Sequence, residues 1–243
     1  VSFFDGLFEV SIRMVRLIVA TAPVGVFALV ATRLGRAGGW EAFAGELEAL
    51  GLYALTVIAG LLIHGAVTLP LVLALVGRRS PLAFLRDMLE PIIVSFSTAS
   101  SSATLPVTME ALRKKAGVDK RVGNFVLPLG ATVNMDGTAL YEAIAAVFIA
   151  QSYGLDLTLP VQLVIIFTAT LAAIGAAGIP QAGLVTMVMV LQTAGLPAEG
   201  IGMILAIDWF LDRCRTTVNV WGDAVGAATL ERFIRFDTPV DDG

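Results

Sequence analysis

Six polar residues within one apolar stretch carry most of the chemistry this chain can do. Between Asp208 and Asp223 it reads DWFLDRCRTTVNVWGD. An α-helix turns about 100° per residue, which gathers Asp208, Asp212, Arg215, Thr216, Asn219 and Asp223 into an arc of roughly 100° and leaves Phe210, Cys214, Val218 and Trp221 off it. A guanidinium closed off from water pairs strongly and in a demanding geometry with a carboxylate, so Arg215 selects an acidic group. Asp212 and Asp223 balance it and offer places for an ammonium group and a cation. In a soluble protein this stripe would be a solvated helix face. Here both flanks are membrane-like, and an ionisable group at mid-bilayer costs about 2.5–3.5 kcal/mol, so such residues face a bundle interior or a watery cavity.

A second polar group is Gly130-Ala131-Thr132-Val133-Asn134-Met135-Asp136-Gly137-Thr138, followed by Glu142. Asn and Gly weaken a helix here, and an unwound turn frees backbone carbonyls, the hard oxygen donors that sodium prefers. A simple kink, with Asp136 bonded to its neighbours, is the alternative. Glu142 lies six residues after Asp136 and points well away from it on the wheel. Loss of water in an apolar run disfavours its charged form, which fits it to carry a proton; snorkelling to an interface or pairing with an arginine is the alternative. The one histidine, His64, stands in an apolar run and reads as a packed helix residue rather than a ligand. The one cysteine, Cys214, excludes an internal disulfide and any cysteine-based metal cluster.

The elements that must position these groups are those of a membrane protein. The chain has 243 residues, 57% hydrophobic and 15% charged, and its mean hydropathy is +0.85, far from an ordinary soluble domain. Its net charge of −4 offers no basic excess for nucleic acid. It opens with Val1 and shows no signal-peptide pattern, as a fragment would. Leu17 to Ala31, with its flanks, is long enough to cross a bilayer, with Pro23 as a kink; a polar connection comes next, from Arg33 to Glu48, and Gly51 to Val76 is a transmembrane helix.

Two later segments are interrupted. Met88 to Leu112 lies between basic loops, around Arg78, Arg79 and Arg86 and around Arg113, Lys114, Lys115, Lys120 and Arg121. Lys and Arg concentrate in cytoplasmic loops, so both flanks belong inside, yet the segment is too short to cross twice. Its middle, Ser100-Ser101-Ser102-Ala103-Thr104-Leu105-Pro106, reads as a helix-breaking run, and a re-entrant helical hairpin resolves the conflict. On the other side, Val161 to Leu196 breaks at Gly175 to Gly183 between loops that lack Lys and Arg. Met88 to Ser152 and Pro160 to Phe236 thus share one plan, a broken hairpin followed by a polar-centred helix, in opposite orientations. The fold class these segments imply is an all-α polytopic membrane protein with transmembrane helices and two oppositely oriented re-entrant hairpins as inverted repeats. Arg33 and Arg36, which this topology puts outside, run against the charge rule.

Ser100-Ser-Ser-Ala-Thr-Leu-Pro106, Asn134-Met-Asp-Gly-Thr138, Ala177-Gly-Ile-Pro-Gln-Ala-Gly183, and Asp208-Trp-Phe-Leu-Asp-Arg213 with Arg215, Thr216, Asn219 and Asp223 together resemble the dicarboxylate/amino acid:cation symporters, the glutamate transporter family. The resemblance runs from about Arg13 to Phe236 and covers the last six elements of that fold; the family's third helix is absent. An archaeal member is itself a standing example of the inverted-repeat architecture, so topology and resemblance are not independent. Ala99 before the serine run, with Arg213 in the last helix, is closer to the animal excitatory amino acid transporters than to archaeal relatives.

The resemblance implies a sodium-coupled symporter of L-glutamate or L-aspartate, an alternating-access carrier in the plasma membrane (the inner membrane of a bacterium), multi-pass and homotrimeric among lipids, with no enzymatic activity. It divides the chain into a scaffold-type helix and connection over 1–48, a transport core over 49–236 and a tail over 237–243. Substrate would meet Ser100, Ser101 and Ser102, backbone groups at Ile179 and Gly183, Asp212 through its amino group, Arg215 and Thr138 through its side-chain carboxylate, and Thr216 and Asn219. One sodium would sit among Gly130, Asn134, Asn219 and Asp223, a second at carbonyls near Thr132, Met135, Ala173, Ile174 and Ala176, and a third at Asn134 and Asp136. Animal relatives have glutamate where this chain has Glu142, linked there to proton cotransport and potassium return. A C4-dicarboxylate symporter and a neutral amino acid carrier are the alternatives within transport. Arg215 would accept either acid and Asp212 favours a substrate with an amino group, while the neutral exchangers lack the arginine. A channel suits two capped hairpins less well than an occluding carrier. An intramembrane protease would need GxSG or GxGD, and the chain has neither.

Overall fold

The computed structural model describes residues 40–234 and scattered helical positions up to residue 32. The chain divides into two compact units, residues 1–50 and 51–243, and the polar groups above all fall in the second. The crossing expected over Leu17 to Ala31 is described only at scattered positions, each helical, and the tail beyond residue 234 lies outside the described residues.

All regular structure among the described residues is helical. Helix α1, Trp40–Ile63, continues without interruption through π-helical His64–Thr68, a short α2 at Leu69–Val72 and π-helical Leu73–Gly77. The polar connection expected to run to Glu48 is therefore helical from Trp40; its glutamates are good helix formers, and no proline stands between Pro23 and Pro70 to stop it. Ala44–Gly77 is long and apolar enough to cross a membrane, as is Lys120–Ser152. The remaining α-helices are α3 (Pro81–Asp87), α4 (Leu89–Thr98), α5 (Ser101–Lys114), α6 (Lys120–Val133), α7 (Asp136–Ser152), α8 (Leu159–Ile174), α9 (Ala182–Thr193) and α10 (Ile201–Glu231), the last preceded by a 3-10 turn at Ala198–Gly200.

Helix α4 packs on α5 and α8 on α9, while the 31-residue α10 runs through the middle against α4, α6 and α7. The serine run starts a helix rather than breaking one. Only Ala99, left-handed at φ 50°, and Ser100 are non-helical, because the Ser100 hydroxyl accepts from the Ala103 amide and caps α5; Pro106 is carried inside it. The second interruption spans Gly175 to Gln181, with Gln181 also left-handed at φ 61°. Between α6 and α7 just Asn134 and Met135 leave the helical region, at ψ 73° and 51°. Left-handed Ala and Gln are uncommon and cost energy, so both sites are held by their surroundings.

The basic segments meet at one end of the molecule. Arg79 donates to the Ala116 carbonyl at 2.7 Å and to the Glu231 carboxylate, which also accepts from the Asp119 amide. Asp119 caps α6, and its hydrogen bond from the Arg121 guanidinium holds its carboxyl below the usual carboxylate range. A folded-state pKa lowered in this way contributes stability above the unfolded value, and that stability is lost as the pH falls through the folded one.

Helices α7 and α10 approach through two glycines. A Cβ on Gly137 would lie 2.8 Å from the Arg215 carbonyl oxygen, and one on Gly222 would lie 2.7 Å from Asp136 Oδ2. Both neighbours are fixed by helix backbone or hydrogen bonds, so neither side can give way freely. Gly137→Ala is expected to destabilise the protein by about 1–3 kcal/mol, read as a lower thermal-unfolding midpoint; an unchanged midpoint would mean the helices are not in this contact.

Candidate substrate and cation site

The stripe on α10 faces inward along its whole length: Asp208, Asp212, Arg215, Thr216, Asn219 and Asp223 are all buried. Arg215, 1% exposed, donates from Nη2 to Asp212 Oδ1 at 2.8 Å, and its Nη1 lies 3.1 Å from Asp208 Oδ1. The second contact is an ion pair by distance but is poorly aligned, so Nη1 and both Asp208 oxygens have no hydrogen-bond partner among the described residues. The guanidinium carbon sits 3.7 Å above the Tyr141 ring, a cation–π contact that covers one face of the fork. Asp212 turns its other oxygen to the Gln181 amide at 2.9 Å, tying the α8–α9 junction to the stripe.

The two junctions touch each other. Ser100 Oγ donates to the Gly178 carbonyl at 2.6 Å and the Ser102 amide donates to the same oxygen at 3.1 Å. Behind this contact lies a narrow, partly open cleft with about 10 Å³ of free volume. Of the sequence-expected substrate residues, Ser101, Thr138, Ile179, Gly183, Asp212, Thr216 and Asn219 line it, as do Met135 and Ala176. Arg215 stands at its edge, with Nη1 only 3.4 Å from where a Gly183 Cβ would be. Ser100 is used up by the Gly178 contact and Ser102 is exposed, so Ser101 is the serine turned to the cleft.

The unwound turn gathers oxygens. Asn219 accepts the Gly137 amide at 2.7 Å and donates to Thr138 Oγ1 at 3.1 Å and to the Met135 sulfur at 3.3 Å. Asn134 donates to Asp223 Oδ1 at 3.0 Å, and Gly130 lies so close to that carboxylate that a Cβ there would collide with it. Asp223 is 5% exposed, and no cationic side chain among the described residues pairs with it. Met135, Ala173 and Ala176 pack into one small cluster, whereas the side chains of Thr132 and Ile174 are exposed, the Thr132 hydroxyl bonding back to Leu129.

Four residues without an assigned part belong to the arrangement. His64 is not simply packed: its Nε2 is 2.7 Å from Asp136 Oδ2, while Asp136 Oδ1 accepts the Gly137 amide at 2.9 Å. The signal was the rarity of an ionisable group in an apolar run. Asp208 stood on the stripe, seven residues and about two turns from Arg215, and that shared face was the signal for a pair the sequence reading did not draw. Tyr141 and Thr186 carried no such signal. Thr186 donates its hydroxyl to Glu142 Oε1, while Oε2 has no partner among the described residues and the side chain is fully buried, so Glu142 neither snorkels nor pairs with an arginine. Arg213 is turned outward, donating to the Trp209 carbonyl at 2.7 Å and lying over that ring.

A sequence model of the sodium:dicarboxylate symporter family matches residues 1–233. Excitatory amino acid transporter 1 of Homo sapiens is 51% identical over 235 residues, which cover 97% of this chain and 43% of that protein. Excitatory amino acid transporter 4 of Mus musculus is 52% identical over 229 residues, 94% of this chain and 40% of that one. Excitatory amino acid transporter 3 of Mus musculus is 50% identical over 232 residues, 96% and 44% of the two. The chain spans less than half the length of these curated relatives.

Because the Thr186 hydroxyl is the only donor among the described residues that reaches Glu142, Thr186→Val should leave a buried carboxyl unpartnered at a cost of about 1–3 kcal/mol. Thr186→Ser should keep most of the stability, and equal unfolding midpoints for the two variants would show that the bond carries nothing.

Proposed function

The chain belongs to the sodium:dicarboxylate symporter family, and we propose that it works as a sodium-coupled symporter of L-glutamate and L-aspartate. The observation that carries this reading is a buried arginine and a buried aspartate of opposite charge, one turn apart, at the edge of a cleft lined by two helix junctions. An acidic amino acid has the complementary charges. Its side-chain carboxylate takes the Arg215 fork beside Thr138, replacing part of the Asp212 pairing; its ammonium goes to Asp212; its α-carboxylate and amino group reach Thr216 and Asn219. Ser101, with Ser100 and Ser102 behind it, and the backbone at Ile179 and Gly183 close the other sides.

Sodium is the coupling ion in this reading. A buried carboxylate held by one neutral amide is costly in a low-dielectric interior, and a cation at Gly130, Asn134, Asn219 and Asp223 would offset that cost. Carbonyls near Thr132, Met135, Ala173, Ile174 and Ala176 form a second site, and Asn134 and Asp136 contribute to a third. Helices α4 and α9, of 10 and 12 residues, are about 15 and 18 Å long against a hydrocarbon core of about 30 Å, which supports re-entrant hairpins rather than crossings. Two such hairpins, meeting at Ser100 and Gly178, form inverted repeats that open in turn to either side.

Protein reconstituted into liposomes should take up radiolabelled L-aspartate only with an inward sodium gradient. Arg215→Cys should weaken acidic substrates at least about a hundredfold, roughly 2.7 kcal/mol, and admit serine or alanine. Equal uptake in choline, uptake of succinate in place of aspartate, or normal aspartate affinity in Arg215→Cys would each overturn the reading.

Glu142, buried with one oxygen unpartnered among the described residues, is the proton carrier of the cycle. Glu142→Gln should abolish the pH dependence of net uptake and leave sodium-dependent exchange intact; an unchanged pH dependence would leave the residue a structural role only.

A further inference from the structure

At the basic end of the molecule, away from the cleft, the turn joining α5 to α6 forms a half-open pocket of about 480 Å³. It is lined by apolar Pro106, Met109, Leu112 and Val118, by the cations Arg113, Lys114 and Lys120, and by the carboxylates of Glu110 and Asp119. The charges around it do not cancel. Five cations stand between Arg113 and Arg121, and three are taken: Lys114 by Glu110 at 2.7 Å, Lys115 by Glu90 at 2.8 Å and Arg121 by Asp119 at 2.7 Å. Arg113 and Lys120 have no carboxylate partner among the described residues, and both are exposed on the rim.

Helix α6 fixes the depth of this pocket in a bilayer. Phe125 and Leu129, on the helix that Lys120 begins, are 67% and 50% exposed. They lie about 7 and 13 Å further along the axis. Large apolar side chains bare to the surroundings belong in hydrocarbon, so Lys120 and Arg113 stand at headgroup level. With Glu110 and Asp119 already paired to Lys114 and Arg121, a pocket that has apolar side chains and two spare cations at that level matches the phosphate and the upper acyl region of an anionic phospholipid.

We propose that the α5–α6 turn is a binding site for one anionic glycerophospholipid, its phosphate held by Arg113 and Lys120. The site neither touches the cleft nor depends on the transport reading, and its test does not measure uptake. Purified protein would be titrated with phosphatidylglycerol and with phosphatidylcholine, and lipid adducts counted by native mass spectrometry. The wild type should retain one phosphatidylglycerol in preference to phosphatidylcholine. Arg113→Gln with Lys120→Gln should weaken it about thirtyfold, at the usual contribution of a juxtamembrane cation to anionic lipid. The exposed single substitution Lys120→Glu should abolish the preference as well, so the outcome does not hang on one variant folding. Arg86→Gln, which removes a cation from the same end outside the pocket, should change nothing. Three results would overturn the proposal: no preference in the wild type, an equal loss in Arg86→Gln, or displacement of the lipid by millimolar inorganic phosphate, which would make the pocket a site for a soluble anion.

Discussion

The structure is organised around a guanidinium taken out of water. Arg215 is fully enclosed, and a charge in that position is tolerated only if its surroundings answer it. Asp212 does so by a hydrogen bond, Asp208 by an imperfect ion pair and Tyr141 by its ring face. The two aspartates must lie on the same helix face as the arginine, which demands an unbroken α10. The ring must come from α7, which demands that α7 lie against α10, and Gly137 is what lets it lie that close. The tie from Asp212 to the Gln181 amide then fixes where the α8–α9 junction can rest.

The misalignment of Asp208 is informative in the same terms. A fully satisfied arginine would have no donor to spare, whereas Arg215 keeps an Nη1 without a hydrogen-bond partner among the described residues. The same pattern recurs at Glu142 and Asp223, buried acids each held by a single neutral donor among the described residues. Polar groups left short of partners cost stability, and such groups on facing helices are a mark of a site rather than of a core.

Much of this was legible in the sequence because a membrane interior makes polar residues conspicuous. The α10 stripe, the unwound turn after Val133 and the break near Gly175 each stood out as hydrophilic or glycine-rich letters in apolar surroundings, and each lies where the spacing put it. What was not legible depended on local capping or on distant partners. The serine run looked like a break, yet Ser100 caps the helix it begins, and composition cannot distinguish the two. The helix before Gly51 was hidden by its glutamates, which favour helix as readily as loop. His64 and Thr186 find Asp136 and Glu142 across 72 and 44 residues, and no periodicity reports such pairs.

The central claim is that Arg215 gives up part of its pairing with Asp212 to a substrate carboxylate. It is tested most directly by a high-resolution cryo-EM map of the protein with L-aspartate and sodium. The ligand's side-chain carboxylate should lie within about 3 Å of the Arg215 guanidinium, at ordinary hydrogen-bond distance, and its ammonium at Asp212. A map with aspartate bound elsewhere, and Arg215 still paired to Asp212 and Asp208, would contradict it.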